Sequence, residues 1–124
     1  MGRLLEVDQE QIAALDFCYL TTKGRRSGGP HTIEIWFALL GDTVYLLAGG
    51  GDGSDWVRNL RADPTVGLRL GDVDLICKGR VVDDPQEDAL ARRIVLEKYV
   101  PRSADDLDSW GRTAMSIAID LPPG

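Results

Sequence analysis

Three cations, Lys23, Arg25 and Arg26, sit among glycines and hydroxyls in the run TTKGRRSGGP at residues 21–30. Guanidinium forks and free backbone N–H groups both suit phosphate or carboxylate oxygens, so this turn has the chemistry of an anion grip. The rest of the chain makes it stand out: 14 Lys and Arg face 20 Asp and Glu, for a net charge of −6. A merely solvated hairpin loop would also carry cations, but it would not need so many glycines and hydroxyls. The spacing is neither a Walker-A loop nor a dinucleotide fingerprint, so the grip is of another kind.

A second run, AGGGDGSDWVRNL at residues 48–60, joins a glycine-rich strand end to a helix start. Such a junction lets a planar or anionic ligand approach the backbone. Trp56 and Asn59 lie three apart and share one face of that helix. A third feature is Glu34 two residues before Trp36, a carboxylate beside an indole on one face of a strand. That pair suits either a pocket wall or a subunit contact.

Other reactive chemistry is sparse. His31 is the sole histidine, and Cys18 and Cys77 lie inside apolar runs. No metal-ligand spacing is present, and the cysteines read as buried free thiols. There is no Gly-x-Ser-x-Gly elbow. The acids at 83–88 and 105–108 read as helix caps and solvated faces. No catalytic side chain is assigned, so any reaction here calls for a cofactor.

The elements that must position these residues follow from periodicity and turn chemistry. A short helix is expected at 6–15, then a strand at 17–21. Residues 31–40 alternate as one strand, with Ile33, Ile35, Phe37 and Leu39 facing the core and Thr32, Glu34, Trp36 and Ala38 facing away. Gly41-Asp42 turns into a strand at 43–48. Ser54 is expected to cap a helix over 55–62, which Asp63-Pro64 ends. Strands at 65–70 and 73–82 follow, with Arg69, Lys78 and Arg80 pointing outward. Asp84, Pro85 and Glu87 mark a capping box for a helix over 85–99. A polar stretch at 103–111 forms a short helix or loop, and 113–121 is the last strand. Six strands in short-turn succession with helices at the ends describe a mainly β, α+β domain, an antiparallel barrel rather than a doubly wound sheet.

The 124 residues suit a single domain, 1–124, with an N-terminal helix or arm at 1–16 and the barrel at 17–121. The acidic balance argues against nucleic-acid binding. No run reaches the ~18 apolar residues of a membrane span. The N-terminus turns acidic too soon for a secretory signal, so a cytoplasmic location is expected.

Taken in order, TTKGRRSG, HTIEIWF, YLLAGGG, SDWVRNLRADP and GRVVDDP resemble the deazaflavin-dependent nitroreductases. These proteins bind coenzyme F-420 and are related to quinone reductases and pyridoxamine-phosphate-oxidase-like split barrels. WVRNLRADP at 56–64 looks like the family's W-x-x-N-L-x-A-x-P signature. GRRSG at 24–28 is similar to its G-x-(Lys/Arg)-(Ser/Thr)-G turn. The resemblance implies a six-stranded FMN-binding-type split barrel, a homodimer, and hydride transfer from reduced F-420 to a small-molecule electron acceptor. FMN is the alternative cofactor, haem a further one, and a carrier without turnover the alternative role. By position it implies that Arg26 and Ser27, with Arg25 and His31 beside them, hold the anionic tail. Ile33 and Trp36 on the second strand also bind the cofactor, and the Ala48, Gly49 and Gly50 backbone approaches its phosphate and ring system. Trp56 and Asn59 close the site, and Trp36 and Trp56 shield it from water. Tyr45, Tyr99 and water are candidate proton donors. Two positions depart from the family pattern: Gly49-Gly50 stands where many members have Ser-Lys, and Glu34 where many have proline. Without that lysine, the turn at 21–30 would hold the tail largely alone.

Overall fold

The computed structural model describes residues 6–122. Its strands are β1 (Cys18–Lys23), β2 (Pro30–Ile35), β3 (Ala38–Leu40), β4 (Thr43–Ala48), β5 (Thr65–Leu70), β6 (Val73–Val81) and β7 (Met115–Asp120). The helices are α1 (Glu6–Ala13), α2 (Asp55–Ala62), α3 (Pro85–Tyr99) and α4 (Asp108–Thr113). All pairings are antiparallel, in the order β2-β1-β5-β6-β7-β4-β3. The two edges of the sheet, β2 and β3, are consecutive in the chain with only Trp36 and Phe37 between them. The sheet therefore curls round until its edges meet, which is the expected barrel.

One expectation needs correction. The strand read over 31–40 is two strands, which raises six to seven. β2 pairs with β1, and β3 pairs with β4, so the chain changes partner at Trp36-Phe37. Phe37 thus has no ladder partner for its backbone groups, and buried polar groups must find one. The end of α3 supplies it. The Tyr99 hydroxyl accepts the Phe37 N–H at 2.9 Å and donates to the Asp16 carbonyl at 2.7 Å. The Lys98 ammonium donates to the Phe37 carbonyl at 2.9 Å and lies 3.8 Å from the Phe37 ring centroid. Alternation does continue through the bend: Phe37 is fully buried, while Ile33, Ile35 and Leu39 are only partly so.

Two apolar layers hold the fold. Leu20, Phe37, Val44, Leu46, Leu68, Ile117 and Ile119 fill the barrel, and Val57 and Leu60 of α2 close one end. Tyr45, Leu47 and Ala118 face the other way and pack under Ala91, Val95 and Tyr99 of α3. This second layer explains why β4 is buried on both faces. It also refines the expected arrangement: α2 plugs an end, whereas α3 covers a side. Cys18 and Cys77 are free and buried, and burial pushes their thiols up to about 12 and about 11. Neither is a thiolate nucleophile at neutral pH.

The helix caps are half of what local sequence implies. Ser54 stands at the N-cap of α2 but makes no side-chain cap bond. The Asp84 carboxylate does accept the Glu87 N–H at 2.9 Å. Glu87 does not return the bond, because stronger partners claim its side chain. It binds Arg80 of β6 through both oxygens, at 2.7 and 2.8 Å, and accepts the Tyr45 hydroxyl at 2.8 Å. Arg80 and, after it, Tyr45 hold the Glu87 carboxyl down to about 2. A carboxyl lowered by folding adds stability above its unfolded value, and that stability is lost as pH falls through the folded value. The urea midpoint of Glu87→Gln is therefore expected to lie below that of the native chain at pH 7. The gap should narrow between about pH 4.5 and 2.

Candidate functional site

The basic turn folds back on itself. The Gly24 N–H donates to the Gly29 carbonyl at 2.7 Å, and the Gly28 N–H donates to the Gly24 carbonyl at 2.8 Å. Gly28 takes φ +75°, a conformation that side chains resist. A Cβ on Gly24 would collide with Ser27 Oγ and the His31 ring, so the absence of one lets those groups converge. Ser27 Oγ accepts the Gly29 N–H at 3.2 Å and lies in hydrogen-bond contact with His31 Nε2 at 3.3 Å.

Asn59 of α2 anchors this turn. It is buried, and its Oδ1 accepts the Arg25 N–H at 3.2 Å and the Arg25 guanidinium at 2.8 Å. Its amide nitrogen donates to Thr22 Oγ1 at 3.2 Å. Arg25 also lies 3.4 Å from the Asp55 carboxylate. Both arginines were candidates for the anion, yet the structure gives them different work. Arg25 is spent on α2. Arg26 is exposed and makes no ion pair or hydrogen bond among the described residues. Together Gly24, Arg25, Arg26, Ser27, His31, Asp55 and Asn59 line a cleft of about 230 Å³.

A second cleft, of about 370 Å³, opens beside the other end of β2. Phe17, Ile35, Trp36, Leu47, Leu107 and Trp110 line it, with Glu34. Trp36 is its rigid wall: its indole stacks on Tyr99 at 4.3 Å and meets Trp110 edge-on at 5.7 Å. Such ring pairs are favourable beyond their buried area. Gly49 lies close by, since a Cβ there would stand 3.4 Å from the Trp110 ring. His31 of the polar cleft and Ile35 of the apolar one are four residues apart on one strand, about 13 Å along it. Phe17 and Trp36 also border a third hollow, with Asp16, Tyr99 and Arg102. The Lys98 ammonium behind this corner is brought down to about 8 by burial and then by the charge of Arg102.

The expected site residues therefore fall into groups. Arg25, Arg26, Ser27, His31 and Asn59 meet in the polar cleft. Trp36 lies in the apolar one, with Gly49 near its Trp110 wall, and Ala48 is buried at the end of β4 while Gly50 is exposed beside it. Ile33 is half-buried midway along β2. Trp56 packs against the barrel core and lines neither cleft. The indole partnering Trp36 is Trp110, which sequence reasoning passed over inside a polar stretch. A bulky aromatic stranded among Asp, Ser, Gly and Arg was the available signal. Of the two candidate phenols, Tyr45 donates to Glu87 and is pushed up to about 12 by burial and that carboxylate. Tyr99 is committed to the strand corner, and neither phenol lines the apolar cleft.

No curated protein matches the chain by sequence. Solved structures share its fold. One described as a domain-swapped dimer is 18% identical, with 85% of this chain and 80% of that one covered and a TM-score of 0.70. The F420-H2 dependent reductase FDR-A is 19% identical over 85% of this chain and 94% of that one, with a TM-score of 0.68. A pyridoxamine 5'-phosphate oxidase-like protein from Listeria innocua is 16% identical over 95% of both chains, with a TM-score of 0.65. These likenesses establish the split-barrel fold. The family model for F420H(2)-dependent quinone reductase matches residues 6–122, nearly the whole chain. The chain thus belongs to the F420H(2)-dependent quinone reductase family, and it is an oxidoreductase whose cofactor is coenzyme F-420.

Proposed function

We propose that this protein passes a hydride from reduced coenzyme F-420 to a quinone, a nitroaromatic or an activated enone. The observation that carries the reading is the split in polarity along β2. A guanidinium unpaired among the described residues stands at one end and an aromatic cleft at the other. That donor set fits a molecule with a planar ring and an anionic tail. Arg26 would hold the tail by charge-assisted bonds, with Ser27 and His31 as further hydrogen-bond partners. Asn59 and Arg25 would keep the turn in place. The Ala48–Gly50 backbone and Trp36 would border the ring. When bound in its reduced form, the cofactor supplies the hydride. Trp36, Trp110 and Leu47 would orient the acceptor and exclude water, positioning work that apolar walls can do. The proton for the reduced acceptor would come from solvent.

We also propose a homodimer. The similar fold described as a domain-swapped dimer supports it, as do Tyr19 and Ile76, which leave apolar surface on the outer sheet face. Sedimentation of the purified protein tests that mass.

Titration with F-420, FMN and haem, read by tryptophan fluorescence, tests the main reading. F-420 is expected to quench at the lowest concentration. Tight FMN or haem binding with none for F-420 would sink the proposal. Tight F-420 binding without turnover of menadione or a nitroaromatic would make the protein a carrier.

A further inference from the structure

Of the described residues lining the apolar cleft, Glu34 alone is charged. Its side chain is exposed, and no cation pairs with it among the described residues. It is held in place all the same. Tyr19 lies directly across the β1–β2 ladder, and its hydroxyl donates to Glu34 Oε2 at 2.8 Å. Arg69 faces Tyr19 from β5, and its guanidinium lies 3.8 Å from the Asp74 carboxylate. The carboxylate at the rim therefore stands fixed and unneutralised beside six apolar walls. A lone charge beside a low-dielectric wall acts on an approaching ion more strongly than one in open water.

We propose that Glu34 sets the charge class of the electron acceptor, admitting neutral and cationic planar acceptors and disfavouring anionic ones. The inference rests on the reading of this cleft as the acceptor site. Like-charge repulsion at the rim is a form of selection against the wrong ligand. Tyr19 serves it as a positioning residue, keeping the carboxylate from swinging away.

The test uses two planar probes, 1,2-naphthoquinone and its anionic 4-sulfonate. Native protein, Glu34→Gln and Leu107→Trp are compared. One readout is quenching of tryptophan fluorescence in cofactor-free protein, and the other is kcat/KM with reduced F-420. Comparing the ratio of the two probes between variants cancels their different potentials and sizes. Glu34→Gln should favour the sulfonate over the neutral quinone by roughly 3–10-fold in both readouts. The gain should shrink at high salt, because an exposed charge is screened. Leu107→Trp, which narrows the cleft, should weaken both probes together. If Leu107→Trp weakens both while Glu34→Gln leaves the ratio unchanged, the charge selection is overturned and the site reading stands. If Leu107→Trp leaves both probes untouched, the acceptor site lies elsewhere and the inference falls with it.

Discussion

Arg26→Ala is expected to weaken F-420 binding by about 1.5–3 kcal/mol, roughly 10- to 150-fold, while leaving the melting temperature unchanged. The expectation follows from what this guanidinium lacks. It is exposed at the cleft and has no partner among the described residues, so removing it breaks no bond among them. Its neighbour should behave in the opposite way. Arg25 donates to buried Asn59 at 2.8 Å, and its own backbone N–H shares that acceptor. Arg25→Ala should therefore cost about 1–2 kcal/mol of stability, and it should weaken the cofactor only by loosening the turn. Titration by fluorescence and urea unfolding of both variants separate the two roles. An Arg26→Ala protein with native affinity would move the cofactor's tail to another part of the surface. Gly49 and Gly50 bring no second cation to the site from across the groove.

Tyr99 should be the most costly single residue to truncate. Its ring is buried, stacks on Trp36, and carries the hydroxyl that satisfies the bend in the chain. Tyr99→Phe keeps the stack but strands the Phe37 N–H and the Asp16 carbonyl, a loss of about 1–3 kcal/mol. Tyr99→Ala also opens a cavity, and large aromatic truncations cost about 3–5 kcal/mol. Against a total of about 5–15 kcal/mol for a small domain, the alanine variant stands near unfolding. Urea midpoints give both values. Trp36 loses its backing ring only in the alanine variant, so Tyr99→Phe should bind acceptor close to natively despite its lower stability. Equal midpoints for Tyr99→Phe and the native chain would mean that water satisfies the bend as well as the phenol does.

Much of the fold was legible because its boundaries are local. Asp84-Pro85 starts α3 and Asp63-Pro64 stops α2, each through backbone chemistry confined to a few residues. The β4 run TVYLLA lies where its flanking turns place it, and the β5 run TVGLRL where alternation does. The expected strand over 31–40 shows where local reasoning ends. The run IEIWFALL keeps its two-residue period through Trp36-Phe37, so nothing within it marks a change of partner. The groups that permit the bend are Tyr99 and Lys98, 62 and 61 residues from Phe37. Ser54 and Glu87 make the same point at smaller scale. Each has the right type for its cap, but Ser54 makes no cap bond and Glu87 is drawn to Arg80 on another element.

By itself the sequence determined the class of chemistry: a cationic glycine turn, a glycine-rich strand end and a helix beginning SDWVRNL, with no side chain fit to carry catalysis. Those properties depend on residue type and short spacing, which folding does not change. Only the tertiary structure decided which of two adjacent arginines is bound to α2. Arg25 and Arg26 are alike in sequence, and the difference is made by Asn59, 34 residues from Arg25. Only the tertiary structure, too, set Trp110 against Trp36 to form the aromatic cleft. Contacts between residues far apart in the chain depend on barrel closure and on the packing of α3, and no local pattern encodes either.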